Sequence, residues 1–109
     1  MRSCARCRQL DGAPSSISAL PKIADAVGSD LEVLFDGGIR SGQDVFRALA
    51  LGASACFLGR AYVYGLCAGG EAGVAKALEL IGMELDVTMA LTGVRRIEEI
   101  DRRALTDCA

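Results

Sequence analysis

The stretch Leu31-Glu32-Val33-Leu34-Phe35-Asp36-Gly37-Gly38-Ile39-Arg40-Ser41-Gly42 decides the reading of the fold. A short apolar run closed by Asp-Gly-Gly is a strand ending in a glycine turn. Ser41 stands three residues before Asp44, close to a capping box but with Asp in place of Glu or Gln, so a helix is expected to open there. That helix carries Val45, Ala48 and Leu49, and Gly52 stops it. The unit then repeats. Ala53 to Leu58 reads as a second short buried strand, ended by Gly59-Arg60 and another helix start.

Upstream, Ile17, Leu20, Ile23, Ala24 and Val27 recur every three or four residues, which predicts a helix from about Ser18 to Val27. Pro21 falls early in that set, where a helix start tolerates it, and Gly28 is a natural stop. Downstream, Gly65 to Gly70 reads as loose. Glu71 to Met89 then carries Ala75, Leu78, Ile81, Leu85 and Met89 at helical spacing. Gly82 interrupts this run at a cost of about 1 kcal/mol against alanine, leaving either two shorter helices or one bent helix. Thr92-Gly93 breaks the chain again, and Ile97 to Leu105 reads as a short charged helix.

Helix, strand, helix, strand, helix is a repeated βα pattern, with strands expected to be buried on both faces of a parallel sheet between helices. Two such strands do not make a stable sheet alone. An eight-fold barrel needs about 250 residues, roughly 31 per βα unit, so this length holds between three and four units. The expected class is α/β, as part of a larger architecture.

The chain has 109 residues, 12 Lys+Arg against 14 Asp+Glu, and no histidine. A net charge of -2 gives no basic excess for a nucleic acid. The absence of histidine excludes Ser-His-Asp and Cys-His catalysis, His-ligated metals and a His general base within this chain. No stretch approaches the roughly 20 apolar residues that cross a bilayer. Met1 to Arg8 is basic without an apolar core, so no signal peptide is expected and the default compartment is the cytosol. Cys4, Cys7, Cys56, Cys67 and Cys108 are an odd number, which argues against a disulfide framework. Cys4 and Cys7 form a C-x-x-C that reads either as a redox pair or half a zinc site, or as an incidental pair of thiols. With no second pair and no histidine, no metal site is expected.

The two strand ends carry the chemistry. Asp36-Gly37-Gly38-Ile39-Arg40 precedes a helix whose first N–H groups are expected to be unpaired and partly positive. Glycines admit a ligand close to the backbone, and Arg40 adds a fork of donors suited to phosphate. Gly59-Arg60 repeats the device, and in barrels the phosphate site is commonly built from the loops after strands 7 and 8. The alternative is that both turns only close strands and both arginines are solvated. Asp36 is placed either to accept hydrogen bonds from sugar hydroxyls or to cap its own turn.

Arg8-Gln9-Leu10-Asp11-Gly12-Ala13-Pro14-Ser15-Ser16, Leu34 to Gly42, Ala48-Leu49-Ala50-Leu51-Gly52-Ala53, Leu58-Gly59-Arg60 and Tyr64-Gly65-Leu66 together resemble one family, in order and with matching spacing. It is the FMN-dependent α-hydroxy acid dehydrogenases and oxidases: glycolate oxidase, the flavin L-lactate dehydrogenases, lactate oxidase and mandelate dehydrogenase. The resemblance implies a TIM (β/α)8 barrel, of which residues 8–109 are the C-terminal portion, about the last three βα units, with residues 1–7 unmatched. It implies FMN as cofactor, held by Asp36, Gly37, Gly38 and Arg40 on one loop and by Gly59 and Arg60 on the next. It implies Arg8 as the grip on the carboxylate of a small 2-hydroxy acid, a bidentate role that suits a guanidinium.

One departure stands out. Where the family reads Ser-Asn-His-Gly-Gly before Arg-Gln-Leu-Asp-Gly, this chain reads Ser3-Cys4-Ala5-Arg6-Cys7. Ala5 occupies the position of the catalytic base, and losing a general base costs about 10²–10⁴-fold in rate. The first expectation is therefore a fragment, from a truncated gene, of an FMN oxidoreductase that converts 2-hydroxy acids to 2-oxo acids. It keeps the phosphate half of the cofactor site and lacks catalysis in isolation. The second is a non-catalytic phosphate- or nucleotide-binding module that assembles with a complementary N-terminal part-barrel, since barrel pieces expose apolar faces and edges. A barrel of the inosine-monophosphate dehydrogenase type and a barely stable remnant are further alternatives. Homo-oligomers are common in the family.

Overall fold

Ser15 starts the first helix. Its hydroxyl accepts the Ser18 N–H at 3.4 Å while the Ser18 hydroxyl donates to the Ser15 carbonyl at 2.8 Å, so α1 spans Ser16–Val27. The computed structural model describes residues 12–106. Pro21 lies inside α1 rather than at its first turn. The carbonyl of Pro21 is exposed enough to accept a hydrogen bond from Arg102 at 3.3 Å.

The two apolar runs do form strands, shorter than their sequences suggest. β1 is Leu34–Phe35 and β2 is Ala55–Cys56, paired parallel with Leu34 opposite Ala55 and Phe35 opposite Cys56. Bonds from Ser54 N–H to the Val33 carbonyl (2.7 Å) and from Phe57 N–H to the Phe35 carbonyl (2.8 Å) carry the ladder beyond both ends. Between them α2 covers Gly42–Ala50, capped by Ser41, whose hydroxyl accepts the Asp44 N–H at 3.3 Å.

After β2 the chain enters α3 (Arg60–Thr92), and here the structure corrects the sequence reading. The stretch from Gly65 is helical, and the break comes at Gly69 and Gly70, whose φ of +61° at Gly70 lies outside the helical region. The helix runs through Gly82, because only that glycine's missing side chain weakens it locally and no backbone bond is lost. Gly93, with φ +76°, ends α3: Gly93 N–H donates to the Ala90 carbonyl and Val94 N–H to the Met89 carbonyl. The segment read as one charged helix is instead two single 3-10 turns, Ile97–Glu99 and Arg102–Ala104. Ile100 separates them in extended conformation because its side chain is buried in the core.

Two apolar clusters hold the fold. Leu20, Phe35, Ile39, Ala48 and Ala53 bury one face of the strands against α1 and α2. Phe46, Ala50, Met89 and Ile100 bind the other side of α2 to α3 and the last turns. The strands are not buried on both faces among the described residues. Alternation sends Phe35 into the first cluster and leaves Leu34 at 52% and Phe57 at 55% exposure on the opposite face.

Candidate anion site at two strand ends

The loop after β1 is set by its glycines. Gly37 and Gly38 have φ of +118° and +86°, a left-handed stretch that residues with a Cβ adopt only under strain. Ile39 then turns inward and is buried, which leaves Arg40 exposed on the next position. Asp44, itself buried, fixes the backbone of Arg40: its Oδ2 accepts the Arg40 N–H at 3.1 Å, and its Oδ1 accepts from Arg47 Nη1 at 3.3 Å. The capping-box spacing was a correct signal for a helix start, but the carboxylate reaches Arg40 rather than the N–H of Ser41.

The expectation of free N–H groups at the start of α2 does not hold. Glu84 of α3 fills that end, its Oε2 accepting the Gly42 N–H at 2.7 Å. The approach is close because residue 42 lacks a side chain: a Cβ there would lie 2.1 Å from the Leu85 nitrogen. The start of α3 differs. Gly59 is its N-cap, and no side chain caps the first turn. Of the two helix starts, α3 presents the positive end of its dipole without a protein carboxylate.

Arg40 and Arg60 meet at this place. With Ala61 and Tyr64 they line a cleft of about 280 Å³. Neither guanidinium has a carboxylate partner among the described residues, although five other ion pairs are formed there. Two uncompensated cations beside an uncapped helix suit a dianionic group such as a phosphate monoester. Gly37, Gly38 and Gly59 shape the two loops without lining the cleft. Asp36 is exposed at the end of β1, on the same side as Leu34, and does not line it either. Tyr64 escaped the residue-level reading; its spacing of four from Arg60 on a helix was the available signal. Arg8, Ala5, Cys4 and Cys7 lie outside the described residues.

A larger groove, about 470 Å³, runs along α3 between Leu80, Met83, Val87 and Leu91 and the start of α2. Its one ionisable group is Glu84, already engaged by Gly42, so it lacks convergent donors for a charged ligand. Among the described residues no three His, Cys, Asp or Glu side chains gather as metal ligands, and no helix is long and apolar enough to cross a membrane. Burial pushes the Cys56 thiol up to about 11.

The family model for FMN-dependent dehydrogenases matches residues 3–107. The chain is 59% identical over 100 residues to the L-lactate dehydrogenase of Stenotrophomonas maltophilia (strain R551-3), covering 92% of this chain and 26% of that protein. Among solved structures it is similar to a soluble mutant of the membrane-associated (S)-mandelate dehydrogenase from Pseudomonas putida, with TM-score 0.84 and 41% identity over 90% of this chain and 28% of that one. A mandelate oxidase mutant solved with a monooxide FMN adduct matches with TM-score 0.80 and 46% identity, over 85% of this chain and 30% of that one. The chain thus spans about a quarter of the length of the curated relatives it matches.

Proposed function

The chain belongs to the family of FMN-dependent dehydrogenases, and from that membership we propose that it is the FMN-phosphate-binding part of an oxidoreductase that takes 2-hydroxy acids to 2-oxo acids. The observation that carries this reading is the convergence of Arg40 and Arg60, both without carboxylate partners, on one cleft beside the uncapped start of α3. That donor set fits the terminal phosphate of FMN in charge and in hydrogen-bonding capacity. The fold supports a placement as the last three βα units of a TIM barrel, with residues 8–109 forming that portion and residues 1–7 preceding it.

When bound, FMN supplies the two-electron acceptor for the oxidation. The residues of this chain do the holding. Arg40 and Arg60 grip the phosphate, the Gly37-Gly38 turn lets the cofactor approach the backbone, and Gly59 keeps the second loop open. The Asp36 carboxylate accepts hydrogen bonds from the hydroxyls beside the phosphate. Arg8 binds the substrate carboxylate through a two-point contact. Ala5 stands at the position from which the family's histidine takes the substrate proton, and alanine accepts none. The isolated chain is therefore a binder and not a catalyst. Its odd number of cysteines suits the cytosol, where thiols stay reduced.

The test compares FMN with riboflavin, which lacks the phosphate, by flavin fluorescence and by absorbance after gel filtration. FMN is expected to bind and riboflavin to bind at least about tenfold more weakly; Arg60→Ala and Arg40→Ala are each expected to weaken FMN by about 10–100-fold. Equal behaviour of the two flavins, or indifference to both substitutions, would overturn the reading.

A further inference from the structure

The helix α3 is two limbs, and the short one is held in place by the long one. Gly69 and Gly70 leave helical geometry, and beyond them Gly73 returns to meet Gly65. A Cβ on Gly65 would lie 2.6 Å from the Gly73 carbonyl oxygen, and a Cβ on Gly73 would collide with the Gly65 carbonyl. Residues eight apart along one straight helix are separated by about 12 Å, so the backbone doubles back here. Residues 60–68 are pinned at Gly65, and Tyr64 is the residue just before the pin. Arg60 and Tyr64 are four apart on this limb and share a face. Both line the cleft with Arg40 and Ala61, whereas Tyr62 does not line it. Tyr64 is 68% exposed, and its hydroxyl has no hydrogen-bond partner among the described residues. A ring so exposed adds little to the core, and its phenolic O–H faces the cleft region as a donor that the protein leaves unused.

We propose that the Tyr64 hydroxyl is a third phosphate donor, completing with Arg40 and Arg60 a set matched to the three terminal oxygens of a phosphate monoester. The identity of that monoester as FMN rests on the function proposed above; the donor set does not. The two guanidinium groups supply the charge. The phenol supplies one neutral, directional O–H on a side chain with only two rotatable angles, so ordering it on a ligand costs little. The Gly65–Gly73 contact serves the same end, since it holds the limb that carries both Arg60 and Tyr64 before any ligand arrives.

The chain has no tryptophan and two tyrosines, so Tyr62→Phe leaves Tyr64 as the only strong intrinsic emitter. Inorganic phosphate titrated into that variant is expected to change the Tyr64 emission along a saturating curve, and adding Arg60→Ala is expected to remove the saturation. In parallel, FMN and riboflavin affinities are measured for the full chain and its variants by flavin fluorescence. Tyr64→Phe is expected to weaken FMN by about 5–20-fold and to leave riboflavin unchanged. Tyr62→Phe is expected to leave both unchanged. FMN binding that ignores Tyr64→Phe overturns the proposal, as does an equal loss for both flavins, which would assign the ring to packing. A linear response of Tyr64 emission to phosphate overturns it as well. Saturation by phosphate in a chain that binds FMN no better than riboflavin would refute the proposed function and leave the donor standing. A preference for FMN that survives Tyr64→Phe intact would do the reverse.

Discussion

Cys56 shows how one residue's burial becomes a measurable property. It sits half-buried on β2, and burial pushes its thiol from an ordinary 9.0 up to about 11. The thiolate is the reactive form, so Cys56 is expected to resist alkylation at pH 8 while the exposed Cys67 reacts. Iodoacetamide labelling followed by peptide mapping checks this; labelling of the Cys56 peptide first would contradict it. The same shift has a consequence for stability with a definite sign. A thiol whose pKa is higher when folded keeps its proton in the fold while the unfolded chain loses it, so its contribution is complete below about pH 9 and is lost as pH rises toward about 11. The urea midpoint is expected to fall across that window, and to fall less in Cys56→Ala. Neither property was legible in the sequence. The apolar run around Cys56 marked a strand, but half-burial depends on which face of that strand has a cover.

At the scale of elements, the contact between α2 and α3 is set by a glycine whose role the sequence did not announce. Gly42 was legible as part of a glycine-rich loop, whereas its function is packing. A Cβ there would come within 2.1 Å of the Leu85 nitrogen and 2.5 Å of the Glu84 carbonyl carbon, both backbone atoms that cannot rotate away. Gly42→Ala is expected to destabilise by about 2–5 kcal/mol, combining overpacking with loss of the Gly42–Glu84 bond. Gly82, inside α3, has nothing within 4 Å of the corresponding point, and Gly82→Ala is expected to stabilise by up to about 1 kcal/mol. Urea denaturation of the two variants distinguishes a glycine required by contact from one tolerated by helix propensity. Helix periodicity found α1, α2 and the long limb of α3 because apolar spacing is local. It missed the helical stretch before Gly69, where glycine content suggested a loop and only the backbone break at Gly69 and Gly70 shows where that stretch ends.

For the whole molecule, the last turns tie the end of the described chain to its beginning. Arg102 forms a two-point ion pair with Asp25 of α1, at 2.7 Å and 3.3 Å, and also donates to the Pro21 carbonyl. Ile100, two residues earlier, is buried with Phe46, Ala50 and Met89. The ion pair is exposed on both sides, so solvent screening leaves it little net effect, whereas Ile100 removes apolar surface from water. Arg102→Ala is expected to leave the unfolding midpoint nearly unchanged, and Ile100→Ala to cost about 2–5 kcal/mol, by thermal or urea unfolding. A larger loss from Arg102→Ala would show that the charges rather than the core hold this segment. The sequence made the opposite emphasis natural, since Ile97 to Leu105 reads as a run of charges and the single buried residue among them has no periodic partner. The anion site divides in the same way. Glycines and arginines at strand ends were visible because that chemistry sits on short contiguous motifs, while Glu84 reaches Gly42 from 42 residues away, a distance that only the folded chain closes.

The carboxylate of Glu84 at the start of α2 also bears on selectivity. The chain has two adjacent helix starts able to neutralise an anion, and one already holds an anion of its own. A single open positive pole is matched to a ligand carrying one phosphoryl group. A ligand with a second phosphoryl group would find the neighbouring pole already held by the Glu84 carboxylate, so a dinucleotide is expected to compete for the proposed site more weakly than FMN, as a flavin-fluorescence competition checks.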